Sequence, residues 1–546
     1  MTKRLFIILL ANLLIITNIY AQQEYSIFEN KPKLVVGITI DHLRPEYITK
    51  YWNTYQKGGF RRLAENGAIT RNARIDIHNI KTSTTLATLY TGTYPSEHGI
   101  VGNQWYRQLK QQTVNCIIDD FYLTMGSDSK NGNVSANNLK VFTLGDAMKE
   151  HTNFKSKVFS VALNPDAAVI SAGHTADGAF WYDGTNGNMI TSSFYMNIFP
   201  EWVRMFNAMK MPDTYLQREW DLLLPTGSYK SGFADDYKLE KGFFKKKKTF
   251  PYSLPELSAE TETPYKLLPA TPYGNRLIKD FAVQLIDHYA LGEDEYPDLL
   301  NISFSSLDFA NKWFSPGSVE MQDIYLNLDQ DISSLLSFLD KKYGKDNYLV
   351  FLTSASTSDY PSDILKEEFK LKTGEFSTSI AMALLRAYLN ATYGVGEWIQ
   401  MYNEEQIYLN HTLIEEKEKS LKEMQEKTAL FLNQFEGVKA AVPAFIIENG
   451  NLDNPRFRIL ENSYCVQRSG DVMLLLEEGW QPAFKYEDKE YTTQNMAPVI
   501  FYGSVVKHGN IQQQVDITDI VPTICKFIDI LPPDDSRGKI IYDVFW

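Results

Sequence analysis

The chain has 546 residues, of which 44% are apolar and 13% aromatic, and a net charge of −13. This composition excludes an intrinsically disordered chain and suits a large folded body of enzyme size. The acidic balance excludes nucleic acid as the main partner, and the one basic cluster, Lys245 to Lys248, reads as a solvated loop.

Residues 1–21 have the form of a signal peptide. Lys3 and Arg4 precede an apolar run, and Ala21 occupies the small-residue cleavage position. The run is short for a bilayer span, and no cysteine follows it to carry a lipid anchor. Lys3 and Arg4 are the only charged residues of the segment, so cleavage after Ala21 takes the net charge from −13 to −15. No later stretch is apolar and long enough to span a membrane. The expected location is periplasmic or secreted.

Residues 33–40 (KLVVGITI) form a continuous apolar run that predicts a buried strand, with Asp41 at its C-terminal edge. Open parallel sheets place ligand-binding groups at that edge. A helix is expected over residues 59–66. Residues 155–163 predict a second strand, running into an Asn164-Pro165-Asp166 turn. Gly173-His174-Thr175 and residues 178–181 read as loop and hairpin. Residues 200–294 are irregular and aromatic-rich, and read as an insertion over the sheet.

Residues 297–304 predict a third strand leading to Asp308, and residues 348–353 a fourth, ending at Ser354-Ala355-Ser356. Between them, Ile324, Leu328, Ile332, Leu335, Leu336 and Leu339 recur at helical spacing over residues 319–342. Residues 404–435 read as one long charged helix. Strands at 471–476 and 498–502 and a helix over 517–528 complete the chain. Strands alternating with helices imply a mainly parallel α/β sheet with helices on both faces. One domain is expected over residues 22–546, with inserted surface subdomains at about 200–294 and 385–490. Cys116, Cys465 and Cys525 lie far apart in sequence, so at most one bridge forms, and no pair has metal-ligand spacing.

Residues 81–106 (KTSTTLATLYTGTYPSEHGIVGNQWY) carry the chemistry. Thr82, Ser83, Thr84, Thr85 and Thr88 crowd the start of a short apolar run. A helix N-terminus there offers unpaired N–H groups and a dipole that favours an anion. A hydroxyl at such a place is positioned to attack phosphorus; the plain alternative is an ordinary N-cap.

The strand ends now hold, in order, Asp41, the Thr82 segment, Asp308 and Ala355-Ser356. Together with Tyr90-Thr91-Gly92, His98-Gly99-Ile100, Gly102 to Tyr106, Ala172 to Thr175, Arg468 to Val472 and Phe501-Tyr502-Gly503, this order resembles the alkaline phosphatase superfamily. The branch is that of type I phosphodiesterases and nucleotide pyrophosphatases, near the exported bacterial alkaline phosphatases with a threonine nucleophile. The resemblance implies an alkaline-phosphatase-like fold and two zinc ions at the strand ends, which polarise a phosphoryl oxygen and activate the attacking group. Thr82 falls at the nucleophile position and Asn103 at the position that hydrogen-bonds a phosphoryl oxygen. Asp41 and Asp308 are retained at metal positions.

Other positions depart from the family pattern. Ala355 and Ser356 stand where the resemblance implies an Asp-His pair, Lys312 and Met496 where it implies histidines, and Asn164 and Asp166 where it implies phosphate-gripping Lys and Arg. Two buried carboxylates without cations are costly. The Lys312 ammonium is therefore expected to fill the cation site and pair with Asp308, within reach of Asp41. Strand alternation turns His42 away from Asp41. His98 and His174 belong to motifs shared with active relatives and read as structural. His78 and Asp359 are the candidates for replacement ligands.

Two functions compete. One is a catalytically degenerate phosphatase, without a cofactor, that binds a small molecule or an envelope protein or acts as a scaffold in the cell envelope. The alternative is an active zinc-dependent phosphomonoesterase or phosphodiesterase using Thr82. A third reading, binding of carbohydrate or peptide, rests on Phe180, Trp181, Tyr182 and the aromatic stretch after Pro200.

Overall fold

The computed structural model describes residues 31–244, 246–345, 347–357, 360–450, 457–483 and 495–546. The expected signal peptide and Asp359 lie outside these residues. A sheet of ten strands runs through the body: β1 (Leu34–Asp41), β2 (Ala68–Arg74), β3 (Thr124–Met125), β4 (Val158–Ala162), β5 (Gly178–Asp183), β6 (Asn188–Ser192), β7 (Asp298–Phe304), β8 (Tyr348–Ser356), β9 (Met496–Tyr502) and β10 (Gly509–Asn510). Their order is β10-β2-β9-β8-β1-β7-β4-β5-β6-β3. The central run β8-β1-β7-β4-β5 is parallel throughout. Antiparallel neighbours flank it, β9 beside β8 and β6 beside β5.

The sequence explains why β1 is central. All eight residues of LVVGITID are buried, as a strand covered on both faces requires. Val36, Ile38 and Ile40 face a core shared with helices α3 (Pro272–Tyr289) and α5 (Val319–Tyr343). Val35 faces the other way, into a core shared with α1 (Thr82–Thr91), α2 (Pro165–Ala172) and α6 (Ile520–Ile528). Between α3 and α5 in the chain, α4 (Ser306–Asn311) follows β7. Gly37 admits no side chain, because a Cβ there would lie 2.5 Å from the Phe351 ring and 2.8 Å from Asn301 Oδ1. The six apolar residues spaced along α5 are all fully buried. The helix starts at Ser318, whose hydroxyl accepts from Met321 N at 3.1 Å.

Three expectations are corrected. Residues 404–435 are not one helix. They begin in a hairpin of strands Ile399–Asn403 and Gln406–Leu409, followed by separate helices His411–Glu416 and Leu421–Leu432. The hairpin turns on Glu404 and Glu405, both left-handed at φ 48° and 58°. It joins strands Val472–Leu476 and Val438–Pro443 in a separate four-stranded antiparallel sheet. Asn164-Pro165-Asp166 is the start of α2 and not a turn, with Pro165 at the first helical position, where its missing N–H costs nothing. The stretch read as irregular, 200–294, contains the 18-residue α3, whose apolar face packs against the sheet. Among the described residues no helix is long and apolar enough to cross a membrane. All three cysteines are buried and unbridged.

Candidate functional site

The C-terminal edge of the parallel strands gathers the residues that the sequence singled out. Asp41 is the last residue of β1 and fully buried. A register shift between Ile40 and Asp41 sets it opposite Ser356, at the end of β8. Asp41 Oδ1 accepts two hydroxyl hydrogen bonds, from Thr82 Oγ1 at 2.9 Å and from Ser356 Oγ at 2.7 Å. Its Oδ2 has no hydrogen-bond partner among the described residues. Burial, and after it the charge of Asp308, push the Asp41 carboxyl up to about 6.

Asp308 lies in α4, just beyond β7. Burial opposes its ionisation, but the hydrogen bond and positive charge of His42, with further help from Lys312 and Lys81, hold it below the usual carboxylate range. His42 Nε2 stands 3.1 Å from Asp308 Oδ1, and the imidazole is only 3% exposed. Strand alternation alone predicts this ring on the opposite side. It fails because β1 ends at Asp41 and His42 takes a left-handed backbone, φ 57°. Two further bonds fix that turn: His42 N donates to Ser356 O at 3.1 Å, and the Tyr325 hydroxyl donates to His42 O.

Lys312 therefore does not do what was expected of it. It has no ion pair among the described residues, and its ammonium lies 6.0 Å from the Phe309 ring centre. It acts on Asp308 only through longer-range charge. The imidazole of His42 takes the expected contact instead.

Thr82 is the first residue of α1, as the sequence suggested, and its hydroxyl points at Asp41. Ser83 Oγ donates to the Asn103 side-chain oxygen at 2.6 Å, which ties the start of α1 to the segment after Gly102. The Asn103 backbone N donates to Glu404 Oε2 at 3.2 Å and Oε1 at 3.3 Å. Glu404 also accepts from Asn79 Nδ2 at 2.5 Å and lies 3.6 Å from Lys81 Nζ. Gly102 makes room for it, since a Cβ there would sit 1.9 Å from Glu404 Oε2. Sequence reasoning missed Glu404 because it misread the hairpin. The alternation of Ile399, Met401, Ile407 and Leu409 about the two turn glutamates was the available signal.

Ala355 is fully buried in β8. Met496 opens β9 and is 40% exposed. Asn164 caps α2 without a side-chain hydrogen bond to it, and Asp166 lies in the first turn. Burial, then the charges of Asp166 and Glu404, push the Cys116 thiol well up. His78 is half-buried and lowered to about 4 by desolvation, so it is neutral at pH 7, and it is hydrogen-bonded through its backbone N to Ser463. His98 is fixed between Thr88 and the Ile100 amide, and His174 on Asp146, so both are structural. Among the described residues no group of three His, Cys, Asp or Glu side chains converges to hold a metal ion.

A mainly parallel sheet whose strand ends set a helix-borne hydroxyl against one carboxylate, with a second carboxylate nearby, defines an alkaline-phosphatase-like α/β protein. The family model described as type I phosphodiesterase / nucleotide pyrophosphatase matches residues 35–499. The chain belongs to that family. It is 34% identical over 529 residues to a Myroides odoratus protein named as a calcium-transporting ATPase, covering 94% of each chain. It is 32% identical over 521 residues to alkaline phosphatase PafA of Elizabethkingia meningoseptica, again covering 94% of each. The crystal structure of wild-type PafA superposes with a TM-score of 0.89, covering 94% of this chain and 99% of that one.

Proposed function

We propose that this chain keeps the phosphatase fold without its two-metal chemistry and serves as an exported binding or scaffolding protein of the cell envelope. The observation that carries this reading is the internal pairing of both retained carboxylates. Asp308 is met by the His42 imidazole, and Asp41 by the hydroxyls of Thr82 and Ser356. The zinc ions that the family resemblance implies each need about four N, O or S ligands. Beside Asp41 stand an alanine without a donor atom and a serine already hydrogen-bonded to it. At the two histidine positions of the second site stand Lys312, which makes no ion pair among the described residues, and Met496, on an exposed strand start. This donor set does not fit a two-zinc centre. Export rests on the sequence of residues 1–21.

A second reading has its own support: an active phosphomonoesterase or phosphodiesterase with Thr82 as nucleophile. The comparisons taken alone favour it, because relatives alike over nearly the whole chain are named alkaline phosphatases. Thr82 on a helix N-terminus, with a carboxylate accepting its proton, is also a fair nucleophile geometry. Metal analysis of the purified protein with and without added zinc, run beside an aryl phosphate assay, separates the two. The binding reading expects no stoichiometric zinc and no turnover. Bound zinc with turnover abolished in Thr82→Ala would overturn it and establish the second.

A further inference from the structure

A cleft of about 1310 Å³ opens beside the site, over Asn164 and Asp166 at the start of α2. Its charged lining is Lys130, Lys241, Lys266 and Lys312 against the single carboxylate of Asp166. On a chain of net charge −13 this is a local inversion of sign. The four lysines come from four separate segments of the chain. Lys130, Lys266 and Lys312 are exposed, and none of the three has an ion pair among the described residues. Converging cations with low-dielectric walls focus an attractive field on an anion.

The rest of the lining is not that of a simple phosphate pocket. Trp313 and Phe244 are half-buried and stacked on each other, with ring centres 4.7 Å apart, and they present an aromatic wall. Trp181 and Tyr182, the aromatic pair noted in the sequence, lie in the floor with their polar ends engaged by Asn131 O and Tyr265 O. Neutral hydrogen-bonding groups, among them Asn115, Thr185 and Thr261, complete the lining. Aromatic walls pack the C–H faces of sugar rings while amides and hydroxyls take their hydroxyl groups. The volume exceeds the roughly 300–1,000 Å³ that holds a drug-sized ligand. The cationic groups of the lining are all lysines, so the anionic groups are placed on the lysine walls.

We infer that this cleft binds an anionic oligosaccharide, a short chain of sugars carrying several acidic groups. The inference rests on the binding reading above and names the ligand class for it. Two tetrasaccharide probes, one sulfated and one uronate-based, are titrated calorimetrically against the full chain beside a neutral tetrasaccharide, at low and high salt. At least one anionic probe is expected to bind, with affinity falling as salt rises, and the neutral one to bind at least about tenfold more weakly. The sulfated and uronate arms identify the acid group. Lys130→Ala with Lys266→Ala is expected to cost about tenfold in affinity and to flatten the salt dependence. Trp313→Ala is expected to weaken binding at both salt concentrations, while Lys427→Ala, on the satellite helix Leu421–Leu432, leaves binding unchanged. No binding of either anionic probe at about 1 mM, equal binding of the neutral probe, or indifference to the paired lysine change overturns the inference. Circular dichroism of each variant confirms that it is folded. Aryl phosphate turnover in the same samples would count against the binding-only reading while leaving a lysine-dependent glycan site in place. Absent glycan binding without turnover would sink the cleft inference alone.

Discussion

Removing the His42 ring should cost more than its size suggests. The imidazole is 3% exposed and the Asp308 side chain 21%, with 3.1 Å between Nε2 and Oδ1. At an effective dielectric of about 20, unit charges about 4 Å apart interact by about 4 kcal/mol. Breaking a buried pair by deleting one partner costs about 3–5 kcal/mol, because the other charge is left behind. Partial exposure of Asp308 puts the expectation at the lower end, about 3 kcal/mol for His42→Ala. The charge on Asp308 is the cause, so the loss must shrink when that charge is removed first. A double-mutant cycle with Asp308→Asn, followed by urea denaturation, should give a coupling of about 2 kcal/mol. A coupling under about 0.5 kcal/mol would show that Asp308 does not depend on His42, and the internal pairing of that carboxylate would no longer support the binding reading.

Two further outcomes follow from the structure. Glu240 is 5% exposed with neither carboxylate oxygen hydrogen-bonded among the described residues, and burial, then the charge of Glu320, push it from 4.5 up to about 9. The folded state then holds a proton that the unfolded state releases, so this contribution to stability is full below about pH 4.5 and is lost as pH rises toward about 9. Glu240→Gln should therefore gain stability relative to the unsubstituted chain between pH 5 and 9, by at least about 1 kcal/mol, and parallel denaturation profiles would refute the assignment. Glu404→Gly relieves a left-handed backbone, worth about 1 kcal/mol, but removes the carboxylate that holds Asn79 and the Asn103 amide. The net change should be destabilising by about 1–2 kcal/mol, with faster hydrogen exchange at Asn103 N; a stabilised variant would show that the anchor is idle.

The parts of the fold that were legible in the sequence are those fixed by burial pattern alone. The runs behind β1, β7 and β8 are apolar because both faces are covered, and α5 shows its period because one face is. Asp41, Thr82, Asp308 and Ser356 followed, since strand ends and a helix start converge once the sheet is known. What escaped depends on single dihedral angles and on chain returns from far away. The role of His42 turns on one left-handed residue after the strand. That of Glu404 turns on a hairpin whose glutamates and following helices resemble continuous helix when read by composition. Lys312 has a long side chain, and its position in sequence does not say which way it extends.

The seat of the His42 imidazole bears on any attempt to build a hydrolase from this scaffold. Supplying the four side chains that the family pattern asks for, at Lys312, Ala355, Ser356 and Met496, would leave that ring standing on Asp308 and the Thr82 hydroxyl bound to Asp41. Ala355 has no exposed surface, so a carboxylate there must also find volume in a closed core. Revival is therefore a problem of eviction before it is one of coordination: His42 must leave first, and the left-handed turn that presents it must accept the replacement.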